Sequence, residues 1–379
     1  MLDRFSTTEA MIEARRPEES ILCIRPEVLR TAAQAFVTTF DGQVLYSVKA
    51  NPLRPVVDAI HAGGVRHFDT ASLREIAAIS QWYPDAQTYF MHPVKGWDAM
   101  RVAYHRFGVR HFVVDHPDEM AKILEVLRGV EEPPVLMVRL STPETQATFH
   151  LSDKFGAPPE QAAQLLRRAV TRGARAGLCF HVGSQCVTTG AYADALCVTD
   201  AVLRDAGVEI ECLDVGGGFP AAYEGVSPPP LSDFLEVIRD GVSALDLSAD
   251  CVLMCEPGRA LAAAGMSVVT RVLLRKGSAV YLNDGIYGTL GGTAPELRYP
   301  ARVIRPTGCA AGERVAFTVF GPTCSSADVL PCSLELPADV ETGDWIEFGM
   351  LGAYGAAFRT DFNGFEPTAL CSIDAPFGV

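Results

Sequence analysis

From residue 20 to about residue 260, short apolar runs alternate with stretches whose apolar positions recur every three or four residues. The runs are Gln43–Val48, Val65–Phe68, Thr88–Met91, His111–Asp115, Val135–Leu140, Gly177–Val182, Ile210–Val215 and Cys251–Cys255. Each is short and apolar, as a buried strand is. The stretches between them read as amphipathic helices. Ser72–Tyr83 opens on an N-cap serine with Glu75 three residues on, a capping box. Pro117–Gly129 opens on proline and closes on glycine, and Pro158–Gly173 and Leu231–Leu245 have similar patterns. Strand–helix alternation predicts parallel strands joined by crossovers. Eight units over roughly 240 residues fit a closed (β/α)8 barrel better than an open sheet. No Gly-rich dinucleotide fingerprint follows the first strand, which argues against a Rossmann arrangement. After about residue 265 the texture changes to Ser267–Leu274, Ala279–Leu282, Arg314–Phe320 and Trp345–Phe348, separated by Gly and Pro turns. This predicts an antiparallel β domain, a β-sandwich or Greek key over 266–379. The barrel domain is then 20–265, with residues 1–19 packed on one unit or the other.

Composition narrows the class. Of 379 residues, 48% are hydrophobic, enough for two domains. The net charge of -14 leaves no basic footprint for nucleic acid. No apolar run reaches the roughly 18 to 20 residues that span a bilayer, and the first twenty residues lack a secretory h-region. A cytoplasmic protein is expected. Its eleven cysteines form no CxxC pair, and most sit in apolar runs as small hydrophobes. The histidines show no ligand spacing, so no metal is expected.

Polar residues gather where a barrel keeps its active site, at the strand C-termini. The first run ends in Lys49, which alone is equally well a snorkelling stem or a group with a chemical task. The others end in Asp69 with Glu75 beyond, His92, Arg139, His181-Val182-Gly183-Ser184, Asp214 followed by Gly216, Gly217 and Gly218, and Glu256-Pro257-Gly258-Arg259. A lone triple glycine is weak evidence, and a lone histidine is more often a core residue. Together the set offers an amine, a bare-backbone loop for phosphate and a buried acid. That is what pyridoxal phosphate needs.

The motifs YSVKANP (46–52), FDTASLRE (68–75), KFGA (154–157), HVGSQ (181–185), DVGGGFP (214–220), EPGRA (256–260), NDGIYG (283–288), GPTCSSADVL (321–330) and GAYGAAF (352–358) follow one another in order. In them the chain resembles the ornithine/diaminopimelate/arginine decarboxylase family, pyridoxal phosphate enzymes with an alanine-racemase-like barrel and a C-terminal β domain. The resemblance runs from about residue 20 to the end and is nearest the bacterial ornithine type. It implies that Lys49 is the Schiff-base lysine, that Asp69 lies beside the cofactor and that His181 stacks on its ring. It assigns phosphate contacts to Ser184, Gly216, Gly217, Gly218, Pro257, Gly258, Arg259 and Tyr354, and the ring nitrogen to Glu256. It makes Cys324 the proton donor to Cα, supplied across a homodimer interface where Lys154 and Asp328 pair.

Substrate is the open point. Diaminopimelate-type members carry CESGD-type motifs, whereas this chain has the ornithine-type GPTC frame. The ornithine type has Asp after that cysteine and a second Asp beyond NDGIYG. Here these are Ser325 and Glu296. L-ornithine to putrescine is the expected reaction, with Glu296, Ser325 and Asp328 around the substrate. The alternatives are lysine, another diamino acid, or an N-substituted ornithine whose distal nitrogen carries no charge. A non-catalytic homologue would have lost Lys49, Asp69, Glu256 or Cys324, and a racemase would lack HVGSQ with GPTC.

Overall fold

A computed structural model describes residues 2–143, 147–149, 154–294, 296–305, 312–365 and 369–378. Pro295, inside the stretch that carries Glu296, lies outside the described residues.

Eight parallel strands close into a barrel. In chain order they are Gln43–Ser47, His67–Thr70, Gln87–Phe90, His111–Val114, Val135–Arg139, Arg175–Cys179, Cys212–Asp214 and Val252–Cys255. The last pairs back onto the first through Met254 and Cys255 against Gln43 and Val44. Each expected run overlaps its strand, with ends shifted by a few residues. The runs are apolar throughout because both faces of a barrel strand are covered. In the first strand Leu45 joins the interior layer with Tyr89, Met137, Cys179 and Met254. Val44 and Tyr46 point the other way, into the larger core under the helices. The helices Leu73–Trp82, Pro117–Val126, Pro159–Thr171 and Leu231–Ser243 fall where the 3.6-residue period put them. The capping box is half made. Ser72 Oγ accepts from Glu75 N at 3.2 Å, but the Glu75 carboxylate takes Ala71 N at 2.6 Å.

The second unit is one nine-stranded sheet. Its long strand, Met266–Lys276, pairs antiparallel with Ala279–Leu282, Trp345–Phe348 and Ile21–Ile24. Three pairings in the sheet are parallel, so it is mixed: Asp3–Phe5 with Ala369–Ile373, Ala369–Ile373 with Ile21–Ile24, and Ala279–Leu282 with Arg314–Phe320. Ile21–Ile24 corrects the expected boundary. It falls inside 20–265 but belongs to this sheet, so the β unit is built from both ends of the chain. Beside it Arg25 and Glu347, 1% and 0% exposed, form an ion pair at 2.7 Å. Hydroxyls of Thr8 and Ser267 and the guanidinium of Arg302 complete the bonding of the Glu347 carboxylate.

The two units meet at the end of the first barrel strand. Asn51 Nδ2 donates to Gly352 O at 2.8 Å, and Tyr354 N donates to Ala50 O at 2.7 Å. The approach is close: a Cβ on Gly352 would lie 1.7 Å from Ala262 O. This contact brings Tyr354 to the mouth of the barrel.

Candidate active site

After Ser47 the chain turns into a 3-10 segment, Val48–Ala50, with Val48 and Ala50 buried. Lys49, between them, projects upward. Its side chain is 42% exposed, into a cavity of about 730 Å³ at the C-terminal mouth of the barrel. Asp69 is its in-register neighbour's acid: Ser47 and Asp69 are strand partners, and Ser47 Oγ donates to Asp69 Oδ2 at 2.7 Å. Lys49 Nζ lies 2.5 Å from the same oxygen. Burial works against the ammonium, but Asp69 and then Glu256 outweigh it and hold the lysine charged.

Below Lys49 lies a cluster of acids. Asp214 and Glu256 end the seventh strand and follow the eighth, and both are buried. Asp214 Oδ1 accepts from Gly216 N at 2.8 Å, while Oδ2 has no hydrogen-bond partner among the described residues. Burial pushes the Asp214 carboxyl up to about 6. Burial, then Asp214 and Asp69, push Glu256 well above the usual carboxylate range. Two buried acids sharing one region cannot both ionise without a cation between them. Lys49 and Arg139 oppose the rise at Glu256, and a protonated ring nitrogen held there would supply a further cation.

Gly216 and Gly218 have φ of 70° and 112°, which only glycine adopts without strain. Their carbonyls are occupied by Glu256 N and Cys186 N, at 2.8 and 2.9 Å, and Tyr192 OH takes Gly217 O at 2.9 Å. The amides of Gly217 and Gly218 have no acceptor among the described residues. Nearby, Arg259 Nη2 donates to Ser184 Oγ at 3.2 Å and Nη1 to Tyr223 OH at 2.8 Å. The guanidinium sits 4.9 Å from the Tyr354 ring centre. Free amides, a hydroxyl and a clamped guanidinium are the donors a phosphate requires. Gly258 lies against Ser47 and Ala50, with Pro257 O accepting from Ser47 N at 3.3 Å.

His181 Nδ1 accepts from Gly183 N at 3.0 Å, which fixes its orientation and leaves the proton to Nε2. Burial first, then Arg139 and Lys49, hold the ring neutral. A neutral flat ring on the cavity wall suits stacking against an aromatic cofactor. The residues present therefore fit pyridoxal phosphate: an amine, a buried acid pair, a phosphate cradle and a ring.

The expected residues do not all converge. Lys49, Asp69, His181, Ser184, Arg259 and Tyr354 line the cavity. Cys324 is exposed and is not on its wall. Glu296 is exposed, and the wall beside it is made by Gly291, Gly292, Thr293 and Ala294. Asp328 is 2% exposed and staples its own loop: Oδ1 accepts from Ile286 N and Oδ2 from Thr323 N, each at 3.0 Å. Its carboxylate fills the space a Cβ on Gly321 or Gly285 would take. It therefore faces neither Lys154 nor the cavity within this chain. Sequence reasoning missed Phe149, Phe155 and Phe358 on the wall, and the partnership of Asp214 with Glu256. Asp214 directly after a buried run carried the same signal as Glu256.

Residues 27–263 match the family model described as pyridoxal-dependent decarboxylase, pyridoxal binding domain. The lysine/ornithine decarboxylase of Selenomonas ruminantium is 32% identical over 85% of this chain and 81% of its own. The lysine/ornithine decarboxylase of Vibrio vulnificus, solved with putrescine, superposes with a TM-score of 0.82 at 30% identity, over 98% of this chain and 99% of that one. The arginine decarboxylase of Paramecium bursaria Chlorella virus, solved with agmatine, gives 0.83 at 25% identity, over 96% and 98%. The geometry of the barrel mouth and these likenesses agree: the chain belongs to the pyridoxal-dependent decarboxylases, enzymes whose cofactor is pyridoxal phosphate.

Proposed function

We propose that this chain decarboxylates a basic α-amino acid, L-ornithine first, releasing CO2 and putrescine, as a cytoplasmic homodimer. The observation that carries the reading is Lys49 Nζ held 2.5 Å from Asp69 over the buried Asp214–Glu256 pair, at the mouth of a substrate-sized cavity. When bound, pyridoxal phosphate draws off the electrons left at Cα as the carboxylate departs. The protein supplies the rest. Lys49 would hold the cofactor by its aldehyde carbon, and Asp69 would keep the lysine side chain in place. Glu256 would keep the proton on the cofactor's ring nitrogen. His181 would cover one ring face, and the amides of Gly217 and Gly218 with Ser184 and Arg259 would bind the phosphate. The Cα–carboxylate bond breaks, and one proton returns to Cα from Cys324 of the second subunit. The exposure of Cys324 outside its own cavity supports that reading.

A second reading rests on the distal end. Glu296 is exposed off the wall, and residue 325 is serine. Both positions expected to hold a distal ammonium thus lack a carboxylate facing the cavity among the described residues, which favours an ornithine whose distal nitrogen is uncharged. Carboxyl-labelled ornithine, lysine, arginine, diaminopimelate and N-acetylornithine separate the two. Release from ornithine or lysine supports the first reading. Release from N-acetylornithine alone supports the second.

A further inference from the structure

Cys324 sits on the loop Gly321–Asp328, and Asp328 pins that loop from within. Two further pins come from distant parts of the chain. Asn363 Oδ1 accepts from Cys324 N at 3.1 Å, and the Tyr287 hydroxyl shares a hydrogen bond with Ser325 Oγ at 3.2 Å. Asn363 has a left-handed backbone, φ 56°, in the short 3-10 segment Phe362–Gly364. Asparagine tolerates that conformation better than most side chains, though at some strain. The segment is itself docked. Thr360 N and Thr360 Oγ1 each donate to Tyr287 O at 2.8 Å, and the Phe362 and Tyr287 rings lie 4.9 Å apart. Tyr287, Cys324, Ser325 and Asn363 thus form one unit, and the strained member spends its side chain on the amide of the cysteine.

We infer that Asn363 is a positioning residue: by holding the amide of Cys324 it aims the thiol at the carbon that must be protonated. This rests on the role given to Cys324 above. A loosened thiol delivers its proton late or to the wrong place; a turnover protonated away from Cα would leave the amino nitrogen on the cofactor and, after addition of water, release a carbonyl compound instead of the amine. Asn363 is exposed, so substitution there leaves the core intact.

Asn363→Gly keeps the left-handed backbone and removes the acceptor. Asn363→Asp keeps an oxygen acceptor. Two readouts apply: the ratio of carbonyl to amine product with the best substrate of the panel, and hydrogen–deuterium exchange at the Cys324 amide in the cofactor-free protein. For Asn363→Gly the carbonyl fraction rises roughly fivefold to tenfold, kcat falls by a similar factor and amide exchange accelerates to match, with KM within about twofold, the scale of one hydrogen bond. Asn363→Asp restores both readouts. A wild-type product ratio and kcat in Asn363→Gly, while Cys324→Ala raises the carbonyl fraction, overturns the positioning role alone. So does Asn363→Asp restoring exchange protection but not the product ratio. A wild-type ratio in Cys324→Ala overturns the assigned role of the thiol, and the positioning role with it.

Discussion

At the scale of single residues, the acids beneath Lys49 give the account its sharpest handle. Asp214 has its carboxyl pushed up to about 6 from an ordinary 3.8, chiefly by burial. A folded-state value above the unfolded one means the native protein binds the proton more tightly. Its contribution is fully present below about pH 4 and is lost as pH rises through about 6. Asp214→Asn retains the oxygen that Gly216 N needs and cannot ionise. In the cofactor-free protein it should match wild type near pH 4 and exceed it by about 2–3 kcal/mol near pH 7. Urea unfolding across that range checks this, and a constant difference would contradict it. Gly217 makes a second case. A Cβ there would lie 2.6 Å from Glu256 O and 2.9 Å from His181 Nε2. Gly217→Ala must displace the ring or the strand end, and overpacking of this kind costs about 1–3 kcal/mol. Cofactor affinity, read by fluorescence titration, should fall about tenfold to a hundredfold. At the distal end, Ser325→Asp should lower KM for ornithine by about tenfold or more, since a hydrogen bond to a charged group contributes roughly 1.5–3 kcal/mol. No change would remove residue 325 from substrate recognition. Lys49 and Glu256 were legible from sequence because a polar residue closing a buried run has one place to point. The destinations of Glu296 and Asp328 were not. Both lie on loops, where packing decides which way a side chain turns, and Asp328 turns inward to satisfy three donors of its own chain.

At the scale of elements, the third barrel strand shows how the wall is held. Beyond Phe90 the chain runs through Met91, His92 and Pro93 on the cavity wall to Lys95, which is 4% exposed. Its ammonium lies 3.1 Å from Glu119 Oε1 and donates to the carbonyls of His92, Pro93 and Val113. Burial pulls Lys95 down to about 8, with Glu119 opposing it. Glu119 also accepts from Lys95 N at 3.1 Å and pairs with Lys122. Removing one member of a buried pair costs about 3–5 kcal/mol because the other charge is stranded. Glu119→Ala should therefore lower stability by about that much and loosen the His92–Pro93 wall, so that KM rises along with the loss in the urea midpoint. Stability equal to wild type would show the pair to be ornamental. Nothing in the sequence singles out Lys95 or Glu119. The barrel strands were visible, because both faces of each strand are buried and the runs are continuous. Ile21–Ile24 was missed although it is fully buried. It precedes the alternation that marks the barrel, and its partners lie some 240 and 350 residues away.

At the scale of the whole molecule, the site depends on both units. The β unit supplies Tyr354, Phe358 and the Gly291–Ala294 wall to a cavity whose floor is the barrel. The contacts of Asn51 with Gly352 and of Ala50 with Tyr354 couple the lysine segment to that wall. The second subunit proposed above would add Cys324, so purified protein should run at twice the 40.7 kDa of the chain. Mixing Lys49→Ala and Cys324→Ala proteins should recover up to about a quarter of wild-type amine formation, by random pairing of subunits that each supply half a site. No recovery after subunit exchange would place each site within one chain. Decarboxylation itself is read from trapped CO2 from carboxyl-labelled ornithine and lysine, with the cofactor bound to Lys49. Labelled CO2 and the matching diamine should appear in equal amounts and vanish in Lys49→Ala. Protein that shows the visible absorbance of lysine-bound pyridoxal yet releases no CO2 from any amino acid of the panel would contradict the account.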